Sequence, residues 1–173
     1  VPMGAALSDF APRGETQASQ TPFTFLFAGH ASRRKGVDVL LSASERLEKV
    51  GHEHRVQFAG GQSDDVFRET DAPIESLGYL STPDLAESFR QADVLVLPSR
   101  HDSFGRVVVE AMATGLPALL SEHVGAKEVV TEGKTGWVVP AEDVDALAAQ
   151  MRWCIEHSEQ VHAMQAACVD TAQ

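Results

Sequence analysis

Apolar positions along the chain alternate between two kinds of pattern, short solid runs and longer stretches of helical spacing. Phe23 to Ala28 (FTFLFA) is a run of apolar and aromatic residues stopping at Gly29, as a buried strand would be. Lys35 to Val50 places Val39, Leu40, Ala43 and Leu47 on one face of a predicted helix. Arg55 to Ala59 reads as a second strand ending at Gly60-Gly61, and Ile74 to Gly78 as a third. A helix over Thr82 to Gln91 follows, with Pro83 in its first turn, where a missing N–H is harmless. Asp93 to Leu97 (DVLVL) has the near-continuous apolar character of a central parallel strand. The remaining pattern predicts a helix from about Gly105 to Thr114 with Gly115 as its C-cap, then a strand from Leu116 to Leu120. A last short strand over Trp137 to Val139 precedes an amphipathic helix from Val144 to about His157.

Strands alternating with helices imply βαβ units and an α/β fold, a parallel sheet with helices on both faces. The first 22 residues, punctuated by Pro2, Pro12 and Pro22, read as a linker rather than core. Residues 23–173 then form one domain, as suits a chain of 173 residues. In such sheets ligands bind beyond the carboxyl ends of the strands, where helix N-termini converge. Gly29 to Gly36, Gly78 to Ser81 and Ser99 to Gly105 occupy that edge.

Composition narrows the functional classes. At 43% hydrophobic and 23% charged residues the chain is ordinary for a soluble globular protein, and no run is apolar enough to span a bilayer. The opening VPMGAALSDF lacks the basic start and apolar middle of a signal peptide. Cys154 and Cys168 fall in the C-terminal helical region and read as two reduced thiols. A net charge of −11 argues against nucleic acid as a partner. A small anionic ligand would need a local basic cluster, and Arg33, Arg34 and Lys35 provide one. The seven histidines are scattered without ligand spacing, so no metal and no other cofactor is expected. Gly60-Gly61 lacks the third glycine of a dinucleotide fingerprint.

The strongest candidate chemistry lies between Asp102 and Glu110, two carboxylates separated by seven residues. Gly105 opens the helix between them, so the amides of Phe104, Gly105, Arg106 and Val107 lack helical acceptors and, with the helix dipole, suit a diphosphate. Glu110 lies roughly 7–8 Å further along at about 1.5 Å per residue, the reach from a diphosphate to its ribose. A carboxylate accepts two hydrogen bonds and matches a vicinal diol. Its neighbours Val107, Val108, Val109, Ala111 and Met112 are apolar, so Glu110 is either costly or partnered. Asp102 capping the helix, with Glu110 merely solvated, is the plainer alternative.

The segment PSRHDSFGRVVVEAMATGLPALLS resembles the signature of the family 4 retaining glycosyltransferases, also called the glycosyl transferases group 1. FLFAGHASRRKGVDVLLSA, VQFAGG, LGYL, ADVLVLPS and GAKEVVTEGKTGWVVP follow the family's order along nearly the whole chain. The resemblance implies GT-B architecture, two Rossmann-like domains facing a cleft, with this chain as the C-terminal, nucleotide-sugar-binding one. It implies transfer of a sugar from a nucleotide diphosphate sugar to an acceptor hydroxyl with retained anomeric configuration, in glycan, polysaccharide or glycolipid synthesis. Lys35 and Asp102 are then the candidate catalytic residues, Lys35 stabilising the leaving diphosphate and Asp102 orienting the sugar. Glu110, the backbone at Phe104, Gly105, Arg106 and Val107, together with Leu80, Arg34 and His30, would bind the donor. His30 stands where the family has an arginine, Asp102 where it usually has glutamate and Ser103 where it usually has glycine. Leu80 and Ser81 match the turn that contacts the base through its backbone, and Glu128 matches a recurrent glutamate; His101 beside Asp102 is the weaker candidate. VPMGAALSDFAP resembles the family's interdomain link, so an N-terminal acceptor domain and a final crossover helix are expected outside these residues, and this chain alone is expected to bind a nucleoside diphosphate weakly without transfer. A cytoplasmic protein is implied, any peripheral association with the inner membrane face running through that other domain. Three alternatives stand beside this reading. A receiver domain needs acids at the end of the first strand, where AGHASRRKG is basic; a scaffold has kept the fold but lost transfer; and a GT-B epimerase or phosphorylase is a third.

Overall fold

The computed structural model describes residues 6–12, 14, 22–63, 66–67 and 70–173. Six strands form one parallel sheet, β1 (Phe23–Ala28), β2 (His54–Ala59), β3 (Ile74–Gly78), β4 (Val94–Leu97), β5 (Ala118–Ser121) and β6 (Gly136–Val139), in the order β3-β2-β1-β4-β5-β6. All of β1, β4 and β5 is buried, which is why those segments read as solid apolar runs rather than alternating ones. Helices cover both faces, α1 (Val37–Lys49) packing beside α4 (Val144–Glu156) on one and α3 (Arg106–Ala113) beside α6 (Gln165–Ala172) on the other. A short α5 (Ser158–His162) joins α4 to α6, and α2 (Thr82–Gln91) lies near α3.

Local chemistry sets the helix ends. Ser81 caps α2, its hydroxyl accepting from the Asp84 amide at 3.3 Å, and Asp143 caps α4 by accepting from the Ala146 amide at 2.9 Å. Two helices start later than their periodicity suggested, for one reason. Gly36 and Gly105 sit at φ +71° and +53°, outside the helical region, so α1 begins at Val37 and α3 at Arg106. The fifth strand begins at Ala118 rather than Leu116, because the Leu116 amide closes the end of α3 on the Ala111 carbonyl at 3.1 Å. Gly115, at φ +89°, ends that helix as its sequence position implied.

The N-terminal stretch departs from a pure linker. Val1–Ala5, Arg13 and residues 15–21 lie outside the described residues, but Phe10 is buried against Phe89, ring centroids 5.9 Å apart. A lone phenylalanine among prolines has no period to betray it. At the amino edge of the sheet, buried Asp93 accepts from the Thr24 amide at 2.7 Å and contacts His162 of α5 at 2.7 Å, anchoring the C-terminal helices. Cys154 and Cys168 are free and buried, and burial pushes both thiols up to about 12, so neither is a nucleophile at neutral pH. Among the described residues no helix is long and apolar enough to cross a membrane.

Gly36 joins the first loop to the end of β4, since a Cβ there would collide with the Pro98 carbonyl. Gly36→Ala adds that collision to the strain of a positive φ, and is expected to cost more than about 2 kcal/mol in chemical denaturation.

Candidate functional site

The strand order reverses between β1 and β4, which lie side by side while their chains leave for opposite halves of the sheet. Loops from two such strands diverge and leave a crevice between them. The loop after β1 carries His30 to Lys35, and the loop after β4 carries Ser99 to Phe104.

Lys35 and Asp102 meet across this crevice. The Lys35 ammonium donates to Asp102 Oδ2 at 2.5 Å, and both side chains are mostly buried. A tight turn presents the lysine, its amide donating to the Ser32 carbonyl at 3.1 Å. The Asp102 backbone is held from the other side, its N–H donating to the His123 carbonyl at 3.2 Å and its carbonyl accepting from the Gly125 amide at 2.7 Å. Its second oxygen, Oδ1, accepts from the Gly105 amide at 3.3 Å. Burial alone would raise the Asp102 carboxyl, but Lys35 and the Gly105 and Phe104 amides outweigh it and hold it below the usual carboxylate range. An ionised acid, a cation and a helix N-terminus therefore share one point.

The start of α3 is shaped for close approach. A Cβ on Gly105 would lie 2.6 Å from Ala126 Cβ, so the turn packs directly on the 3-10 helix Gly125–Val129. Arg106 and Val107 occupy the first turn, and the Phe104 ring is 87% exposed. Glu110 lies on the buried side of α3 with its side chain 1% exposed. Oε1 accepts from Arg106 Nε at 3.0 Å, while Oε2 is buried without a hydrogen-bond partner among the described residues. Burial raises the Glu110 carboxyl above its ordinary value despite the opposing pull of Arg106. The sequence had valued Arg106 for its amide. Its spacing of four residues from Glu110 on one helix was the signal that the side chain is the acid's partner.

A cleft of about 380 Å³ opens beside this centre, lined at the ends of β1, β2 and β3 by residues including His30, Gly61, Tyr79 and Leu80. His30 Nε2 contacts Ser63 Oγ at 3.1 Å, leaving Nδ1 toward Gly61. Tyr79, 86% exposed with its hydroxyl against Gly61, was not singled out in the sequence. Ser81, next to Leu80, donates to Asp84 Oδ2 at 2.6 Å in its capping role. The other candidates stand further out. Arg33 is exposed and 3.8 Å from Asp38, and the exposed Arg34 side chain has no hydrogen bond or ion pair among the described residues. His101 is exposed and contacts Ser103 Oγ at 3.2 Å; Glu128 is exposed on the 3-10 helix.

The family model for glycosyl transferases group 1 matches residues 10–168. A D-inositol 3-phosphate glycosyltransferase of Pseudarthrobacter chlorophenolicus is 34% identical over 155 residues, covering 80% of this chain and 37% of that protein. A putative colanic acid biosynthesis glycosyltransferase, WcaL of Escherichia coli, is 28% identical over 162 residues, covering 86% and 40% respectively. The chain thus spans about two-fifths of the length of these curated relatives. Among solved structures, the C-terminal domain of the group 1 family protein LpcC from Francisella tularensis superposes with a TM-score of 0.81 at 16% identity, covering 97% of this chain and 96% of that one. Anabaena HepE, in complex with UDP and glucose, superposes with a TM-score of 0.75 at 22% identity, covering 87% and 43%. With the sheet order, the crevice and a family match over most of its length, the chain belongs to the glycosyl transferases group 1 and has the Rossmann-like fold of one half of a GT-B enzyme.

Proposed function

We propose that this chain is the nucleotide-sugar-binding domain of a retaining glycosyltransferase, which moves a sugar from a nucleotide diphosphate donor to an acceptor hydroxyl in glycan, polysaccharide or glycolipid synthesis. The observation carrying the proposal is the Lys35–Asp102 pair set at the N-terminus of α3, with a buried unpartnered oxygen of Glu110 further along the same helix. In this reading the diphosphate lies on the amides of Phe104, Gly105, Arg106 and Val107 and draws on Lys35. Asp102 faces the sugar hydroxyls. The ribose diol takes up the free capacity of Glu110, which is reached once the half-exposed Arg106 side chain moves from it. The base enters the cleft at Tyr79 and Leu80, walled by His30.

Cleavage of the bond between anomeric carbon and diphosphate leaves charge on the departing oxygen. Lys35 and the helix amides are preorganised to meet that charge, and no metal or other cofactor enters the scheme. The acceptor would come from an N-terminal domain across the cleft, so this chain alone would bind donor without transferring its sugar. UDP is the natural first probe, because HepE was solved with it.

Calorimetry with uridine and guanosine diphosphates on the 173-residue chain tests the reading. One of them is expected to bind, Lys35→Ala and Glu110→Gln each to weaken it about tenfold or more, and Arg34→Ala to change it only a few-fold. A folded chain that binds neither would contradict it.

A further inference from the structure

We infer that Arg100 is a positioning residue that clasps the loop carrying Lys35 and so holds the ammonium on Asp102. Arg100 lies two residues before Asp102, yet most of its bonds go to the loop carrying Lys35 and the first turn of α1 behind it. Its guanidinium grips Asp38 with both terminal nitrogens, Nη1 to Oδ1 at 2.7 Å and Nη2 to Oδ2 at 2.9 Å. Nη1 also donates to the Arg33 carbonyl, and the Arg100 amide donates to the Arg34 carbonyl at 3.0 Å. Residues 33, 34 and 38 bracket Lys35 on both sides, so the clasp fixes where that lysine can reach.

Other elements hold the clasp in turn. Nε donates to Glu142 Oε1 at 2.7 Å, and the Arg100 carbonyl contacts His123 Nδ1 at 3.1 Å. Glu142 sits at φ +60°, the one non-glycine residue in that region among those described, a conformation maintained only where the surroundings impose it. Strand pairing does not supply the same restraint, since the β1–β4 register ends at Leu26 with Leu95, short of both loops. An isolated surface ion pair would mean little. Here one planar group satisfies two carboxylates and a main-chain carbonyl at once, a geometry that a lysine cannot reproduce. Burial alone would raise the Asp38 carboxyl, and Arg100 outweighs it and holds it low.

The role in donor binding rests on Lys35 contacting the diphosphate, so the test has one arm that needs no ligand. The Asp102 carboxyl is titrated by carbon NMR in wild type, Arg100→Gln and Asp38→Asn. Asp38→Asn removes a negative charge, which by direct field would lower the Asp102 pKa. Loosening Lys35 would raise it. A rise toward the ordinary aspartate value in both variants is expected; no change, or a fall in Asp38→Asn, would overturn the inference. The second arm measures UDP affinity across a double-mutant cycle. Arg100→Gln is expected to weaken binding about tenfold with Lys35 present and less than about twofold in Lys35→Ala, with Arg100→Lys failing to restore it. Equal losses in both backgrounds would show a general structural role and overturn it. If the wild type binds guanosine diphosphate instead of UDP, the cycle is run with that nucleotide; if it binds neither, the donor reading fails, while the titration still decides whether Arg100 places Lys35. Asp38→Asn carries both arms should Arg100→Gln not fold.

Discussion

The ion pair between Lys35 and Asp102 joins two loops that the chain separates by 67 positions. Its existence depends on the strand order, because only neighbours that diverge leave a crevice wide enough for a ligand and narrow enough for opposite charges to touch across it. Neither group is fully in water, so their attraction is less screened than on an open surface. The pair also sets the electrostatics around it. It keeps Asp102 ionised and leaves one of its oxygens on an amide at the start of α3. An incoming diphosphate would compete for the lysine, and the helix N-terminus would share the added negative charge.

Glu110 extends the same logic into the protein. A carboxylate on an otherwise apolar helix face is expensive unless its oxygens are satisfied, and one of the two is not. Burial lifts its carboxyl while Arg106 pulls it down, so the acid is held in tension between losing water and keeping a cation. Polar hydroxyls reaching Oε2 would relieve that tension. The nearby glycine turns serve approach as much as flexibility: Gly36 meets the Pro98 carbonyl and Gly105 meets Ala126, bringing both loops to the sheet without intervening side chains.

Much of the architecture was legible because its signals are local. Fully buried strands such as β4 are solid apolar runs, and Pro83 and Gly115 mark a helix start and a helix end by chemistry that acts within a single turn. Boundaries shifted by one or two residues where a positive φ, invisible in composition, displaced the helix start at Gly36 and Gly105. The candidate site was legible in outline, since Lys35, Asp102, Gly105 and Glu110 stand in motifs with spacing of their own. Long-range pairing was not. Nothing near Arg100 announces Asp38 and Glu142, 62 and 42 positions away, and nothing near Phe10 announces Phe89. Tyr79 has no local signal because its placement depends on Gly61, which belongs to a different strand end.

A crystal structure of the chain with UDP or UDP-glucose tests the central claim most directly. The diphosphate is expected between the Lys35 ammonium and the amides at Gly105 to Val107, with the ribose hydroxyls on Glu110 and the base in the cleft beside Tyr79 and Leu80. A nucleotide bound elsewhere, or bound with Lys35 still closed on Asp102 and no phosphate at the start of α3, would contradict it.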